Sequence, residues 1–191
     1  MFESTHSTSQ QQSSGSIERL NRETFRACLE ALARPGLTQQ VQPLFHSHLL
    51  AMASSLLYSK IRYTYRGRLS TFNLVEAMTG ATQSPPAESQ YIFADTPSID
   101  LWKSAFPGTM EQPETSATCI FSCREEPISP VTLCGPGING TLRTHLPLEQ
   151  AFVKEFITCR HSFPLGVDLF LVNESGHVTG LPRTTRIEVR Q

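Results

Sequence analysis

Charge is scarce in this chain. Only 17% of its 191 residues are charged, against about 25% in an ordinary globular protein. Sixteen basic and 17 acidic residues leave a formal charge of −1, which excludes a general nucleic-acid binder, since that function needs a basic surface. A surface short of charge also suits a protein partly covered by other chains. Long apolar runs are missing as well. The richest, residues 49–58, stops at Lys60, well short of the about 18 consecutive apolar residues a membrane span requires. The first sixteen residues are mostly Ser, Gln and Thr with no apolar core, so they do not read as a secretory signal. Five cysteines make an odd set without a dense framework, which points to buried thiols in a reducing cytoplasm. Lysine is rarer still, confined to Lys60, Lys103 and Lys154.

What is present amounts to about one domain's worth of chain. Residues 1–16 are low-complexity and polar, too poor in large apolar groups to offset the entropy of ordering, and are expected to form a disordered arm. Residues 17–191 are expected to form a single α/β domain. Helical periodicity begins at Ile17: Phe25, Cys28, Leu29 and Leu32 fall at i, i+3, i+4 and i+7 and form one apolar stripe. Asn21 is the candidate N-cap, and Pro35-Gly36 ends the helix. Further helices are predicted over 48–59, 72–78, from Pro97 through Phe106, and over about 148–161. Strands are predicted at 61–66 by alternation, then at 91–94, 117–123, 131–134 and 167–172, with 178–181 as partner of the last. Helices interleaved with apolar strands predict a three-layer α/β/α sandwich around a mixed sheet.

Several motifs suggest chemistry. Gly135-Pro136-Gly137-Ile138-Asn139-Gly140 is a literal G-x-G-x-x-G after a predicted strand. A dinucleotide fingerprint needs a helix starting inside the motif, with its N–H groups facing the pyrophosphate. Here Pro136 removes a donor, helical periodicity resumes only near Pro147, and Glu155, the acidic residue about twenty positions on, falls mid-helix. The loop reads as a structural turn, with an anion-contacting loop as the alternative. Cys119 and Cys123 resemble a metal pair, but four residues of strand span about 13 Å, too far for two thiolates at about 2.3 Å from one zinc. His46 and His48 have no acidic residue between Glu30 and Glu76, so a metal there would need distant ligands. His161, Asp168 and many serines could supply a nucleophile's partners, yet nothing resembles a G-x-S-x-G elbow. Asp168 puts a carboxylate inside an apolar strand, where it must be paired or have its pKa raised. It serves either a site or a neighbouring loop as hydrogen-bond acceptor. Arg183 and Arg186, after the last predicted strand, are two planar forks suited to phosphate, carboxylate or a partner's acidic face, or else a solvated strand end.

The ordered motif set resembles the PhnH family, a subunit of the bacterial carbon–phosphorus lyase core complex. It comprises Phe25-Arg26, Ala33-Arg34-Pro35-Gly36, Gly108-Thr109 with Pro113, Ser116-Ala117-Thr118 and Gly135-Pro136-Gly137-Ile138. It is strongest at Phe163-Pro164-Leu165-Gly166-Val167-Asp168-Leu169 and Leu181-Pro182-Arg183-Thr184-Thr185-Arg186, and covers roughly residues 20–187. The Ser/Gln arm falls outside the family pattern, and the basic stretch 60–68 departs from it.

The resemblance implies a pared-down large domain of pyridoxal-phosphate-dependent transferases without the cofactor, a homodimer, and assembly with PhnG, PhnI and PhnJ. It implies a place in alkylphosphonate use: PhnI, helped by the G, H and L subunits, displaces adenine from ATP and installs the phosphonate on ribose C1, before radical chemistry on PhnJ breaks the C–P bond. The lysines agree about the cofactor, since none stands in a convincing Schiff-base context. Candidate ligand- or partner-contacting residues are Arg34, Gly135, Gly137, Asp168, Arg183 and Arg186, with no catalytic residue or metal ligand assigned. The alternative is a stand-alone enzyme or binding protein for a phosphorylated or nucleotide ligand, using Asp168, Arg183 and the Gly135 loop.

Overall fold

The apolar strands demand cover on both faces, and the chain provides it by sending its earlier helices to one side of one sheet and its later ones to the other. The computed structural model describes residues 6–68, 70–160 and 163–190, with the backbone alone for residues 6–14. In order it forms α1 (His6–Ala33), β1 (Thr38–Gln40), α2 (His48–Leu56), β2 (Arg62–Arg66), α3 (Leu74–Thr79), β3 (Thr82–Gln83), β4 (Tyr91–Ala94), α4 (Ile99–Ser104), β5 (Thr118–Cys123), β6 (Ser129–Cys134), β7 (Thr141–Leu146), α5 (Gln150–Thr158), β8 (Asp168–Asn173), β9 (His177–Leu181) and β10 (Arg186–Val189). The seven-stranded sheet has the order β1-β9-β8-β5-β4-β2-β3. Strands β3, β2, β4, β5 and β8 are parallel, while β9 and β1 add antiparallel. A separate antiparallel sheet has the order β10-β6-β7.

Alternation along β5 shows the two cores. Ile120 joins Tyr63, Phe93 and Phe170 beneath α1 to α3. Cys119, Phe121 and Cys123 face the opposite way, against α4, α5 and the small sheet. The first core is tiled by aromatic rings: Tyr65 stacks on Phe72 at 3.8 Å, and Phe72 lies 5.5 Å from Phe93. The second is keyed by Trp102 of α4 against Phe156 of α5, 4.5 Å apart. Local signals set the helix starts. The Ser47 hydroxyl accepts from the Leu50 N–H at 3.1 Å, and Ser98 accepts from the Leu101 N–H at 3.3 Å, both ordinary N-caps. The mixed sheet and three layers agree with the sequence-based architecture.

Several expectations change. Helix α1 begins at His6, so backbone helix runs into the segment that composition reads as a disordered arm. Residues 1–5 lie outside the described residues, and Asn21 is mid-helix rather than an N-cap. The apolar stripe of α1 is also rotated. Thr24, Ala27, Cys28 and Ala31 are buried, whereas Phe25 and Leu29 are 46% and 53% exposed. The cause is close approach: a Cβ added to Gly180 of β9 would lie 2.5 Å from the Ala31 carbonyl oxygen, so only small side chains fit between this helix and the sheet. Strand β2 buries Thr64 as well as Tyr63, as a parallel strand covered on both faces must. The edge strands β1, β3, β7 and β10 went unrecognised in the sequence. Consequently the Gly135–Gly140 motif is the hairpin turn between β6 and β7, and Arg186 opens a strand instead of following the last one.

The contact between α1 and β9 yields a prediction. Gly180→Ala should cost about 1–3 kcal/mol by overpacking, read as a lower denaturant midpoint at unchanged m. An unchanged midpoint would show that α1 is not held at this distance.

Candidate functional site

The four residues between β9 and β10 carry the chain from the large sheet to the small one, and their carbonyls converge on one side. Arg160, just past α5, answers them. Its Nη2 donates to the carbonyls of Pro182 at 3.0 Å and Arg183 at 2.8 Å, and its Nη1 donates to that of Thr185. The guanidinium carbon lies 5.5 Å from the centre of the Phe156 ring, a cation–π arrangement. Burial pulls the Arg160 pKa below its ordinary value, against the opposing pull of Asp168, but a guanidinium stays charged throughout.

Asp168 and Arg183 hold the same segment from the other side. Asp168 opens β8 at the amino edge of the parallel strands, opposite Thr118. One carboxylate oxygen accepts the Arg183 N–H at 2.7 Å, and the other lies 3.4 Å from Arg183 Nη2. Arg183 Nη1 donates to the Pro113 carbonyl. Both side chains are about four-fifths covered, so this pair is neutralised within the fold. Gly166 must be glycine here: its φ is +149°, and a Cβ would lie 2.8 Å from that of Arg183. Its N–H bonds the Pro107 carbonyl at 2.9 Å.

The Gly135 turn packs into the same assembly. A Cβ on Gly135 would meet the Thr184 carbonyl oxygen at 2.9 Å, and one on Gly137 would meet the Ala33 carbonyl oxygen at 2.2 Å. Its glycines admit neighbouring backbone, as a structural turn requires. Arg34 is exposed and 3.6 Å from Glu30, and Arg186 is exposed at the start of β10. The structure thus unites Gly135, Asp168 and Arg183 around the 182–185 crossing and leaves the side chains of Arg34 and Arg186 outside it.

A family model for the bacterial phosphonate metabolism protein PhnH matches residues 17–188. The chain belongs to the PhnH family. Comparison with curated proteins gives no match. As a PhnH-family member the chain is a phosphonate metabolism protein, and several of the segments that carried the resemblance meet in space. Gly108 abuts Pro113, Pro113 receives Arg183, Arg183 abuts Gly166, and Gly135 abuts Thr184. Arg160 was missed in the sequence. The available signal was a lone arginine directly after an amphipathic helix and shortly before the Phe163–Asp168 motif.

Among the cavities formed by the described residues, two lie at opposite edges of the parallel strands. One of about 540 Å3 lies at their carboxyl edge, the usual ligand crevice of an open α/β sheet. It is lined by Asp95, Glu126, Glu149 and Glu174 against a single Arg124, the wrong sign for a phosphonate. The other, about 310 Å3 at the amino edge, includes Tyr91, Ser116, Thr118 and the Asp168–Arg183 pair. Its guanidinium is already matched by a carboxylate. Neither cavity of this PhnH-family chain offers an uncompensated positive charge.

Among the described residues no three His, Cys, Asp or Glu side chains could hold a metal, and His161 lies outside them. All five cysteines are free, with Cys28, Cys119 and Cys123 buried. Burial pushes the thiols of Cys28 and Cys123 up to about 12, and that of Cys119 upward as well.

Removing the guanidinium with Arg160→Met should cost about 3 kcal/mol, because buried carbonyls lose their donor. Arg186→Met should change stability by less than about 0.5 kcal/mol, and equal effects in denaturant titrations would contradict the arrangement. For the thiols, the unfolded chain releases its protons above about pH 8.5 while the folded chain keeps them to about 12. Stability should therefore fall as pH rises through that window. At pH 8 an aromatic disulfide reagent should modify Cys134 and Cys159 first, and reach the other three only on unfolding. Five equally fast thiols would refute the burial.

Proposed function

We propose that this chain is a non-catalytic, homodimeric subunit of the cytoplasmic carbon–phosphorus lyase complex. In this reading it acts with PhnG, PhnI and PhnL in the transfer of the ribose triphosphate moiety of ATP to an alkylphosphonate. A phosphonate oxygen forms a bond to ribose C1 as the bond to adenine breaks, and PhnJ later cleaves the C–P bond. The observation that carries the reading is how the family's charged motif residues are used. Asp168 and Arg183 neutralise each other and hold loops, and the carboxyl-edge cleft is acidic. A group that must attract ATP or a phosphonate needs free positive charge. Supporting another subunit's reaction asks only for a firm scaffold with an accessible surface. Five free thiols suit a reducing compartment, and no helix among the described residues is long and apolar enough to cross a membrane.

A second reading, a stand-alone binding protein, is favoured by the amino-edge cavity, where the Ser116 hydroxyl has no hydrogen-bond partner. Co-expression with PhnG, PhnI and PhnJ distinguishes the two. The subunit reading expects one co-purifying assembly, and little change in the melting temperature of the lone chain with ATP, ribose 5-phosphate, methylphosphonate or pyridoxal phosphate. Isolation of the chain only in free form, with a large specific shift by one of those ligands, would overturn it.

A further inference from the structure

The small sheet buries one face and leaves the other open. Val131, Leu133, Leu146 and Ile187 point into the core, and the turn at Gly36 closes over Leu133, Leu142 and Thr144 from the same side. The open face follows from the register. Arg186, Cys134 and Thr141 form one row, and Glu188, Thr132 and Arg143 the next. The register then continues to Arg190, whose N–H bonds the Pro130 carbonyl at 3.0 Å, opposite His145. Three arginines and a histidine therefore share a face with one glutamate, on a chain whose formal charge is −1.

Strand β7 is an edge of this sheet, and it is unlike the other edges. Proteins blunt exposed edges by keeping them short, with proline or a bulge, or with charged side chains, and of these devices β7 has only the charge of Arg143 and His145. Strands β1 and β3, at the ends of the large sheet, have three and two residues, and β10 has four. Strand β7 has six residues, all in unbroken register with β6 and none of them proline. Among the described residues, no backbone group outside its own sheet bonds to the far side of β7. Such an edge is a template for another strand.

We propose that β7 receives an extended, acidic segment of a partner polypeptide as the fourth strand of this sheet. Backbone pairing would supply the affinity. The carboxylates would lie beside the exposed Arg143 and His145, within the field of Arg186 and Arg190, since neighbouring strands are only about 4.8 Å apart. A second copy fits poorly, because joining two β7 edges would gather two like-charged sets on one continuous face, and like charges in register destabilise a sheet. The inference deepens the proposed function and rests on it: this surface is where the scaffold meets an acidic strand of the assembly.

The test is hydrogen exchange on the free chain and on the assembly co-purified with PhnG, PhnI and PhnJ, combined with Arg143→Glu and His145→Glu together. Outward-facing amides of β7 should exchange at least about tenfold more slowly in the assembly. The charge reversals should weaken association by about tenfold or more while leaving the melting temperature of the free chain unchanged. Unprotected β7 amides in an intact assembly, or full-strength association of the reversed chain, would overturn the surface while sparing the subunit reading. Protection that grows with the concentration of the free chain would assign the edge to a second copy and overturn it too. Failure to form any assembly would remove the subunit reading, and this surface with it.

Discussion

A strand that leaves one sheet and enters another must carry its backbone through a crossing in which neither ladder can satisfy it. In this protein that problem arises between β9 and β10, and a single guanidinium solves it. Arg160 gathers the carbonyls of Pro182, Arg183 and Thr185, and its planar fork with several fixed donors suits the task better than an ammonium group would. Asp168 then captures the one backbone N–H of the crossing that faces the amino edge. Buried polar networks of this kind are costly when half satisfied, which explains why so many separate segments contribute to one of them.

The packing of the rest follows from that joint. The small sheet can cover the second core only if the crossing holds β10 against β6, and the Gly135 turn can lie flat only because it carries no side chain facing Thr184. The ends of the parallel strands are consequently occupied by structural groups at one edge and by carboxylates at the other. Part of the chain's positive charge lies on the open face of the small sheet, where Arg143, Arg186 and Arg190 share one side. This distribution is what the proposed role as a supporting subunit asks for, with the motif charges closed within the fold.

Legibility varied with physical scale. The core strands around Ile92, Ile120 and Leu169 could be read from short apolar runs, as could helices over 48–59 and after Pro97, because burial and residue type are local signals. The edge strands were illegible. Strand β1 is the polar run Thr38-Gln39-Gln40, and β7 interleaves Arg143 and His145 with residues that are only half covered. Their strand character comes from neighbours distant in sequence. Phe25 and Leu29 of α1 misled for a related reason: the face a helix buries depends on how closely the opposing strand can approach, and here Gly180 decides it.

Asp168 and Arg183 stand out from residue type and position alone, because a carboxylate in an apolar strand and a guanidinium after a strand both require partners. That they are each other's partners depends on β9 folding back antiparallel on β8, a contact made by pairing rather than by local preference. By itself the sequence determined the class of fold, the apolar strands and the family, all of which rest on short-range patterns of residue type. The tertiary structure alone decided that the family's motifs form one joint, that the large cleft is acidic, and that a basic edge strand is left open. Charge and hydrogen bonding act through space, and only the folded chain sets those distances.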